Sequence, residues 1–165
     1  MTEEYKLGIL LGSGSYSTVK LASFRDNPTV HVAVKEMPKQ LNNQVLRTGI
    51  IHEMDVLNRL DYPGVIKYID SFETTEVING VLEFNPGRPL NDVLERMASG
   101  FSEPKLSIMY LLAKSVAYLK TKSIVHRDLK PSNVMVVEDQ SLLFGFSVQL
   151  IDFGFAKSDD KDSNI

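Results

Sequence analysis

The chain has 165 residues, of which 43% are hydrophobic and 24% are charged. This composition argues against global disorder, and the length fits one domain or two small lobes. A net charge of −3 argues against bulk nucleic-acid binding, and the absence of cysteine excludes disulfides and thiolate metal sites. No apolar run approaches the ~20 residues of a membrane span, and the N-terminus does not read as a secretory signal. A soluble, cytoplasmic protein is therefore expected.

The first third of the chain is predicted to be rich in β-strands. Alternating apolar residues mark three successive strands, around Leu7–Leu11, Val19–Leu21 and Val30–Val34. Flexible and polar turns join these runs, so we expect an antiparallel meander. Two further apolar runs, Val65–Ile69 and Val77–Phe84, predict additional strands.

One helix is predicted between the third and fourth of these strands. Apolar residues recur there at helical spacing, at Leu46, Ile50, Leu57 and Leu60. Glu53 falls within this stripe, where a carboxylate is costly unless it meets a cation. Lys35 is the natural partner, because strand periodicity places it with Ala33 on one face of the third strand. A lysine that extends to solvent from a sheet edge is the simpler alternative.

The connector Asn85–Pro89 contains two prolines and a glycine and predicts a boundary between two lobes, residues 1–84 and 85–165. Beyond it the pattern becomes helical, beginning with a short helix at Leu90–Met97. Two short strands are predicted later, at Val134–Val137 and Ser147–Ile151.

A longer helix is predicted from an N-cap at Ser102 to about Lys122. One of its apolar stripes comprises Leu106, Met109, Tyr110, Ala113, Val116 and Ala117. Other faces are apolar too, so the helix should be buried nearly all round. Since the other elements of this chain are too few to cover it, we expect a large apolar surface to meet solvent.

Three short segments carry residues suited to phosphate chemistry. Gly12–Val19 places flexible glycines between two strands, which lets backbone N–H groups approach phosphates; a plain hairpin turn is the alternative of equal weight. His126–Asn133 reads H-R-D-L-x-x-x-N, a pattern with too many fixed residues for an ordinary surface loop. Asp152 begins the tripeptide D-F-G, which alone means little but follows the other segments in order.

In this order the segments resemble a eukaryotic protein kinase, over roughly residues 5–157. Lys130, two residues after Asp128, resembles Ser/Thr kinases rather than tyrosine kinases. The segments SYSTVKLA, TKSIVHRDLK and GFSVQLIDFGFAK are similar to the calcium/calmodulin-kinase group, and within it to testis-specific serine kinases.

The resemblance implies an α+β, protein-kinase-like bilobal fold, with an antiparallel-sheet N-lobe carrying one helix and an incomplete helical C-lobe. It implies ATP and Mg²⁺ as cofactors and a Ser or Thr hydroxyl of a protein as the acceptor. Asp128 would accept the hydroxyl proton, Lys130 would neutralise developing charge, and Mg²⁺ would be held by Asn133 and Asp152. The implied ATP-binding residues are Leu11, Gly12, Ser13, Gly14, Ser15, Tyr16, Ser17, Val19, Ala33, Lys35, Glu53, Leu82, Glu83, Asn85 and Met135.

The sequence departs from the family pattern at two places that bear on function. Ser17 replaces the third glycine of the phosphate loop, and no A-P-E segment follows Gly154. Two functions therefore stay open: a Ser/Thr kinase, here as a truncated domain, or a nucleotide-binding pseudoenzyme or regulatory fragment that binds partners without catalysis. Neither nucleic acid nor a membrane is expected as a partner, and the protein substrate and the oligomeric state are left open.

Overall fold

The computed structural model describes residues 4–14, 17–39, 44–97 and 102–158. The chain forms two compact units. Unit 1 comprises Met1–Asn58 and Lys67–Phe84, and unit 2 comprises Arg59–Ile66 and Asn85–Ile165. No helix among these described ranges is long and apolar enough to cross a membrane.

Unit 1 is an antiparallel sheet with one helix. Its elements are β1 (Tyr5–Ser13), β2 (Thr18–Phe24), β3 (His31–Pro38), α1 (Gln44–Asn58), β4 (Tyr68–Glu73) and β5 (Val77–Glu83). The strand order is β1-β2-β3-β5-β4, and every neighbouring pair is antiparallel. The meander predicted for the first three strands is therefore confirmed.

One buried cluster of unit 1 forms on one face of this sheet. Its buried members are Tyr5, Ala22, Val32, Val34 and Val81. The Tyr5 ring stacks on Phe72 at a centroid distance of 5.7 Å. Burial raises the pKa of the Tyr5 hydroxyl to about 12, so this side chain is a neutral core residue.

The alternation in β1 identifies the strand but not a buried face. Leu7, Ile9 and Leu11 are 40%, 69% and 43% exposed. β1 lies at the edge of the sheet, and its register with β2 shifts twice, between Leu7 and Leu10 and between Leu10 and Gly12. Such irregularities change the side of the sheet to which successive side chains point, so strict alternation no longer selects one face.

Unit 2 combines one short and one long helix with short strands among its described residues. Its elements are β6 (Arg88–Pro89), α2 (Leu90–Arg96), α3 (Glu103–Thr121), β7 (Ile124–Val125), a 3₁₀ turn (Pro131–Asn133), β8 (Val134–Glu138), β9 (Phe146–Leu150) and β10 (Lys157–Ser158). The strands form one three-stranded sheet, β6-β8-β9, and one two-stranded pair, β7-β10. Ser102 is the N-cap residue of α3 as predicted, but its side chain makes no capping hydrogen bond; Pro104 in the first turn favours this start.

Residues 59–66 group with unit 2 in the structure. The strand predicted at Val65–Ile69 begins only at Tyr68. Val65 instead makes a single parallel bridge to Leu150, whose N–H donates to the Gly64 carbonyl at 3.0 Å. These long-range hydrogen bonds to β9 override the local strand pattern.

The long helix α3 is not buried all round in this chain. Ile108, Ser115 and Leu119 are buried, whereas much of the predicted apolar stripe faces solvent. Leu106, Met109 and Tyr110 are 53%, 59% and 51% exposed. The expectation that an apolar surface of this helix meets solvent is therefore confirmed.

Gly64→Ala should destabilise unit 2, because the new Cβ would overlap the Ser115 hydroxyl of α3 and lie 2.8 Å from the Tyr62 ring. We expect a loss of about 1–3 kcal/mol in the free energy of unfolding, measured by denaturant titration. Gly12→Ala is the control, since a Cβ there meets nothing within 4 Å. Adding Ser115→Ala should recover part of the loss, and equal stability of the Gly64 variant and the wild type would contradict this account.

Candidate active site

Lys35 of β3 and Glu53 of α1 form the ion pair expected from the sequence. The Lys35 Nζ atom lies 2.7 and 2.8 Å from the two carboxylate oxygens of Glu53. Their side chains are only 14% and 7% exposed, so each charge offsets part of the desolvation cost of the other.

The sheet register explains why Lys35 can reach the helix. Its neighbour across the β3–β5 ladder is Gly80. A Cβ at position 80 would lie 2.9 Å from the terminal methyl of Met54 in α1. The missing side chain therefore leaves room for α1 close to Lys35. Its other cross-strand neighbour is Val19 of β2.

The glycine-rich segment forms a turn at the end of β1. Gly12 and Ser13 are still paired with β2, and the Gly14 N–H donates to the Ser17 carbonyl at 2.8 Å. Leu11, just before it, is exposed. Ser15 and Tyr16, which were predicted to bind ATP, lie outside the described residues.

Ala33, Leu82 and Glu83 lie next to each other in the sheet of unit 1. Ala33 pairs with Leu82 across the β3–β5 ladder. Glu83 is tied to Lys67 by two hydrogen bonds: its N–H donates to the Lys67 carbonyl at 3.0 Å, and its carboxylate accepts from the Lys67 N–H at 2.7 Å. The Glu83 N–H is thus already engaged.

In unit 2, two side chains converge on the carboxylate of Asp128. Lys130 Nζ and Asn133 Nδ2 each lie 2.8 Å from Asp128 Oδ2, and Asn133 Nδ2 also donates to the Asp128 carbonyl at 3.0 Å. Two donors of the loop therefore hold the same carboxylate oxygen of Asp128. Asn133 is buried, whereas Asp128 and Lys130 stay accessible.

His126 links this loop to the residue before Asp152. Its Nδ1 accepts from the Asp128 N–H at 3.3 Å, so the ring proton is on Nε2, which donates to the Ile151 carbonyl at 3.0 Å. The Ile151 N–H donates to the Asn133 carbonyl at 3.0 Å. Both backbone groups of Ile151 are therefore bound to the loop that carries Asp128.

Two residues of this region have left-handed backbone conformations. Arg127 has φ 64° and Asp152 has φ 61°, values that are costly for residues other than glycine. Arg127 is held by a hydrogen bond of 2.6 Å from its Nε to the Phe155 carbonyl. Phe153 is fully buried, with its ring 4.6 Å from the His126 ring.

The contact between Lys130 and Asp128 shifts the pKa of both side chains towards the charged form. The hydrogen bond from Lys130, helped by that from Asn133, holds the pKa of the Asp128 carboxyl below its ordinary value. The same hydrogen bond to Asp128 raises the pKa of Lys130, with a smaller contribution from the charge of Asp152. Asp128 is thus ionised at neutral pH.

The candidate metal ligands Asn133 and Asp152 both belong to unit 2. Because Asn133 Nδ2 donates to Asp128, a cation would bind its amide oxygen. Within the described residues, no group of three or more His, Cys, Asp or Glu could hold a metal ion.

Sequence reasoning did not identify two residues that support this region. Ile151 acts through its backbone, so its side chain gives no signal. Gln149 of β9 accepts a hydrogen bond of 2.7 Å from the side chain of Asn85, 64 residues earlier, a contact with no local pattern.

Glu53→Gln should lower the free energy of unfolding of unit 1 by about 3–5 kcal/mol, because it removes the carboxylate charge that the Lys35 ammonium contacts in a largely buried position. The double variant Lys35→Met/Glu53→Gln should lose less than the sum of the losses of Lys35→Met and Glu53→Gln. Denaturant titration of the wild type, both single variants and the double variant gives the coupling energy. The more exposed pair Lys20–Glu36 is the control, with a coupling of about 0.2–1 kcal/mol, and additive losses at Lys35 and Glu53 would contradict the prediction.

Lys130→Met should raise the pKa of Asp128, because it removes the largest contribution that favours the charged carboxylate. In a carbon-detected NMR titration, Asp128 of the variant should protonate at a higher pH than in the wild type. Asp139 serves as the internal reference, since its pKa is lowered by Ser141 and not by Lys130. An unchanged Asp128 titration in this variant would refute the assigned cause.

The sequence was compared with families and proteins of known class. A family model described as protein kinase domain matches residues 5–164. The serine/threonine-protein kinase ATG1a of Arabidopsis thaliana is 33% identical over 155 residues, which are 94% of this chain and 24% of that protein. A probable myosin light chain kinase of Dictyostelium discoideum is 32% identical over 93% of this chain and 31% of its own length.

A calcium/calmodulin-dependent protein kinase type 1 of Macrobrachium nipponense is 27% identical over 96% of this chain and 45% of that protein. The chain thus spans less than half the length of each of these relatives. The family match covers both units and includes the segments around Lys35, Asp128 and Asp152. The chain belongs to the protein kinase domain family, and its α+β fold is the kinase fold expected from the sequence.

Proposed function

We propose that this chain is part of an ATP-dependent protein serine/threonine kinase that phosphorylates Ser or Thr hydroxyls of a protein substrate. The observation that carries the proposal is the convergence of Lys130 and Asn133 on Asp128 Oδ2. A general base must be ionised and held in place before its substrate arrives. A carboxylate with a lowered pKa and two fixed hydrogen bonds meets both requirements.

When bound, Mg-ATP supplies the phosphoryl group that is transferred. Asp128 would orient the substrate hydroxyl and accept its proton, and Lys130 would offset negative charge that develops nearby. The carboxylate of Asp152 and the amide oxygen of Asn133 are hard oxygen ligands of the kind that Mg²⁺ prefers. The remaining ligands would come from phosphate oxygens and water.

Unit 1 would supply the phosphate contacts and part of the base contacts. Lys35, oriented by Glu53, would bind phosphate oxygens, and the N–H groups of the turn at Gly12–Ser17 would do the same. The base would be contacted by apolar side chains and by the backbone of the connecting segment. These residues are Leu11, Val19, Ala33, Leu82, Glu83, Asn85 and Met135.

The kinase subgroup and the cellular location stay predictions. Similarity to a calcium/calmodulin-dependent kinase supports placing the chain in that group. Its likeness to testis-specific serine kinases, and a cytoplasmic location, depend on the sequence alone.

The division of roles between Asp128 and Asp152 provides the test. Asp128→Asn should reduce phosphoryl transfer by about 10²–10⁴-fold and leave the Kd for Mg-ATP unchanged, because Asp128 acts on the hydroxyl. Asp152→Asn should weaken Mg-ATP binding, and its effect on nucleotide affinity should disappear when EDTA removes the metal. Phosphotransfer to a serine/threonine peptide mixture and calorimetric nucleotide binding are measured on the 165-residue chain and on a longer protein that contains it.

Asp139→Asn is the matched control, since the Asp139 carboxylate accepts hydrogen bonds from Ser141 in the β8–β9 turn. It should change neither binding nor transfer. Equal losses of nucleotide affinity in the Asp128 and Asp152 variants would contradict the proposed roles. Nucleotide binding without any transfer in either protein would favour the regulatory alternative.

A further inference from the structure

The segment between the two units is held by the side chain of Asn85. Its Oδ1 accepts a hydrogen bond from the Gly87 N–H at 2.7 Å, which closes an Asx turn. Its Nδ2 donates to Gln149 Oε1, also at 2.7 Å. The Asn85 amide thus joins the turn at residues 85–87 to strand β9.

The backbone after Asn85 packs closely against β8. A Cβ at Gly87 would overlap the Val136 carbonyl of β8 and lie 2.7 Å from Asn85 Oδ1. Arg88 and Pro89 then pair with Val136 and Met135 as strand β6. The segment is therefore fixed by the turn, by close packing on β8 and by the bond to Gln149.

Gln149 lies directly opposite Met135 in the β8–β9 ladder. Opposite residues of an antiparallel pair carry their side chains on the same face, with Cβ atoms about 4.5–5.5 Å apart. Asn85 therefore reaches the face of this sheet that Met135 occupies. Both Asn85 and Met135 belong to the residues assigned above to the nucleotide base.

We propose that Asn85 and Gln149 are positioning residues for the base of the nucleotide. The amide bridge would set the orientation of the Asn85 backbone N–H and carbonyl relative to Met135, before any ligand arrives. This inference rests on the proposed nucleotide binding. Because pre-organised groups lose less freedom on binding, loss of the bridge should weaken contacts to the base and leave contacts to the phosphates intact.

The test compares a ligand that has a base with one that has none. Asn85→Ala and Gln149→Leu should each weaken ATP binding to the 165-residue chain by about tenfold, the equivalent of one to two lost hydrogen bonds. Binding of inorganic tripolyphosphate with Mg²⁺ should not change. Asn91→Ala, an exposed asparagine in α2, is the matched control and should leave both affinities unchanged.

A second pair of variants, in which an ion pair replaces the two amides, keeps the test valid if Asn85→Ala does not fold. Asn85→Asp retains the acceptor for the Gly87 N–H but loses the donor to Gln149, so it should weaken ATP binding. Asn85→Asp/Gln149→Lys restores a contact between the two side chains and should recover part of the affinity. Thermal unfolding of every variant checks that the comparison is made between folded proteins.

The outcomes separate the two proposals. If the wild-type chain binds ATP and the variants bind it equally well, the positioning role is wrong and the proposed function stands. If ATP and tripolyphosphate lose affinity equally, the bridge is only structural and the inference is overturned. If the wild type binds neither ligand, the proposed nucleotide binding fails and the inference with it.

Discussion

Unit 2 depends on the backbone at the end of β9. Leu150 donates to the Gly64 carbonyl and accepts from the Ile66 N–H, and Ile151 binds the Asn133 carbonyl and the His126 ring. Two consecutive residues thus hold the segment before β4 and the loop that carries Asp128. Since every one of these bonds joins parts of the chain far apart in sequence, the loop can have its geometry only after the unit has assembled. The position of Asp128 is a property of the whole unit.

The two lysine–carboxylate pairs of the candidate site, Lys35–Glu53 and Lys130–Asp128, have the same chemistry but differ in burial. Lys35 and Glu53 are nearly buried, so their attraction compensates a large desolvation cost and holds α1 in one arrangement against the sheet. Lys130 and Asp128 are more open to solvent, with side chains 50% and 26% exposed. That pair contributes little to stability but keeps the carboxylate charged and aimed while a partner can still approach it.

Sequence reasoning succeeded where one residue was out of place in its own pattern. A carboxylate in an apolar helix stripe required a cation, and this predicted the contact between Glu53 and Lys35. It failed where contacts between distant residues decided the outcome. Val65 and Ile66 were predicted to start a strand but bind β9 instead, and the Asn85–Gln149 hydrogen bond had no sequence signal. Helix α3 shows a third limit: when several faces are apolar, periodicity reveals the helix but not the face that meets the protein, and the stripe containing Leu106 and Tyr110 faces solvent.

The left-handed backbone at Arg127 and Asp152 has a consequence for how this chain tolerates change. A non-glycine residue in that conformation costs about 1–2 kcal/mol relative to a relaxed one, so glycine at either position would relieve the strain. Each side chain nevertheless has a task that glycine lacks, since Arg127 binds the Phe155 carbonyl and Asp152 carries the carboxylate beside the loop. Glycine at either position would therefore remove the backbone strain only together with the contact of the side chain that it replaces.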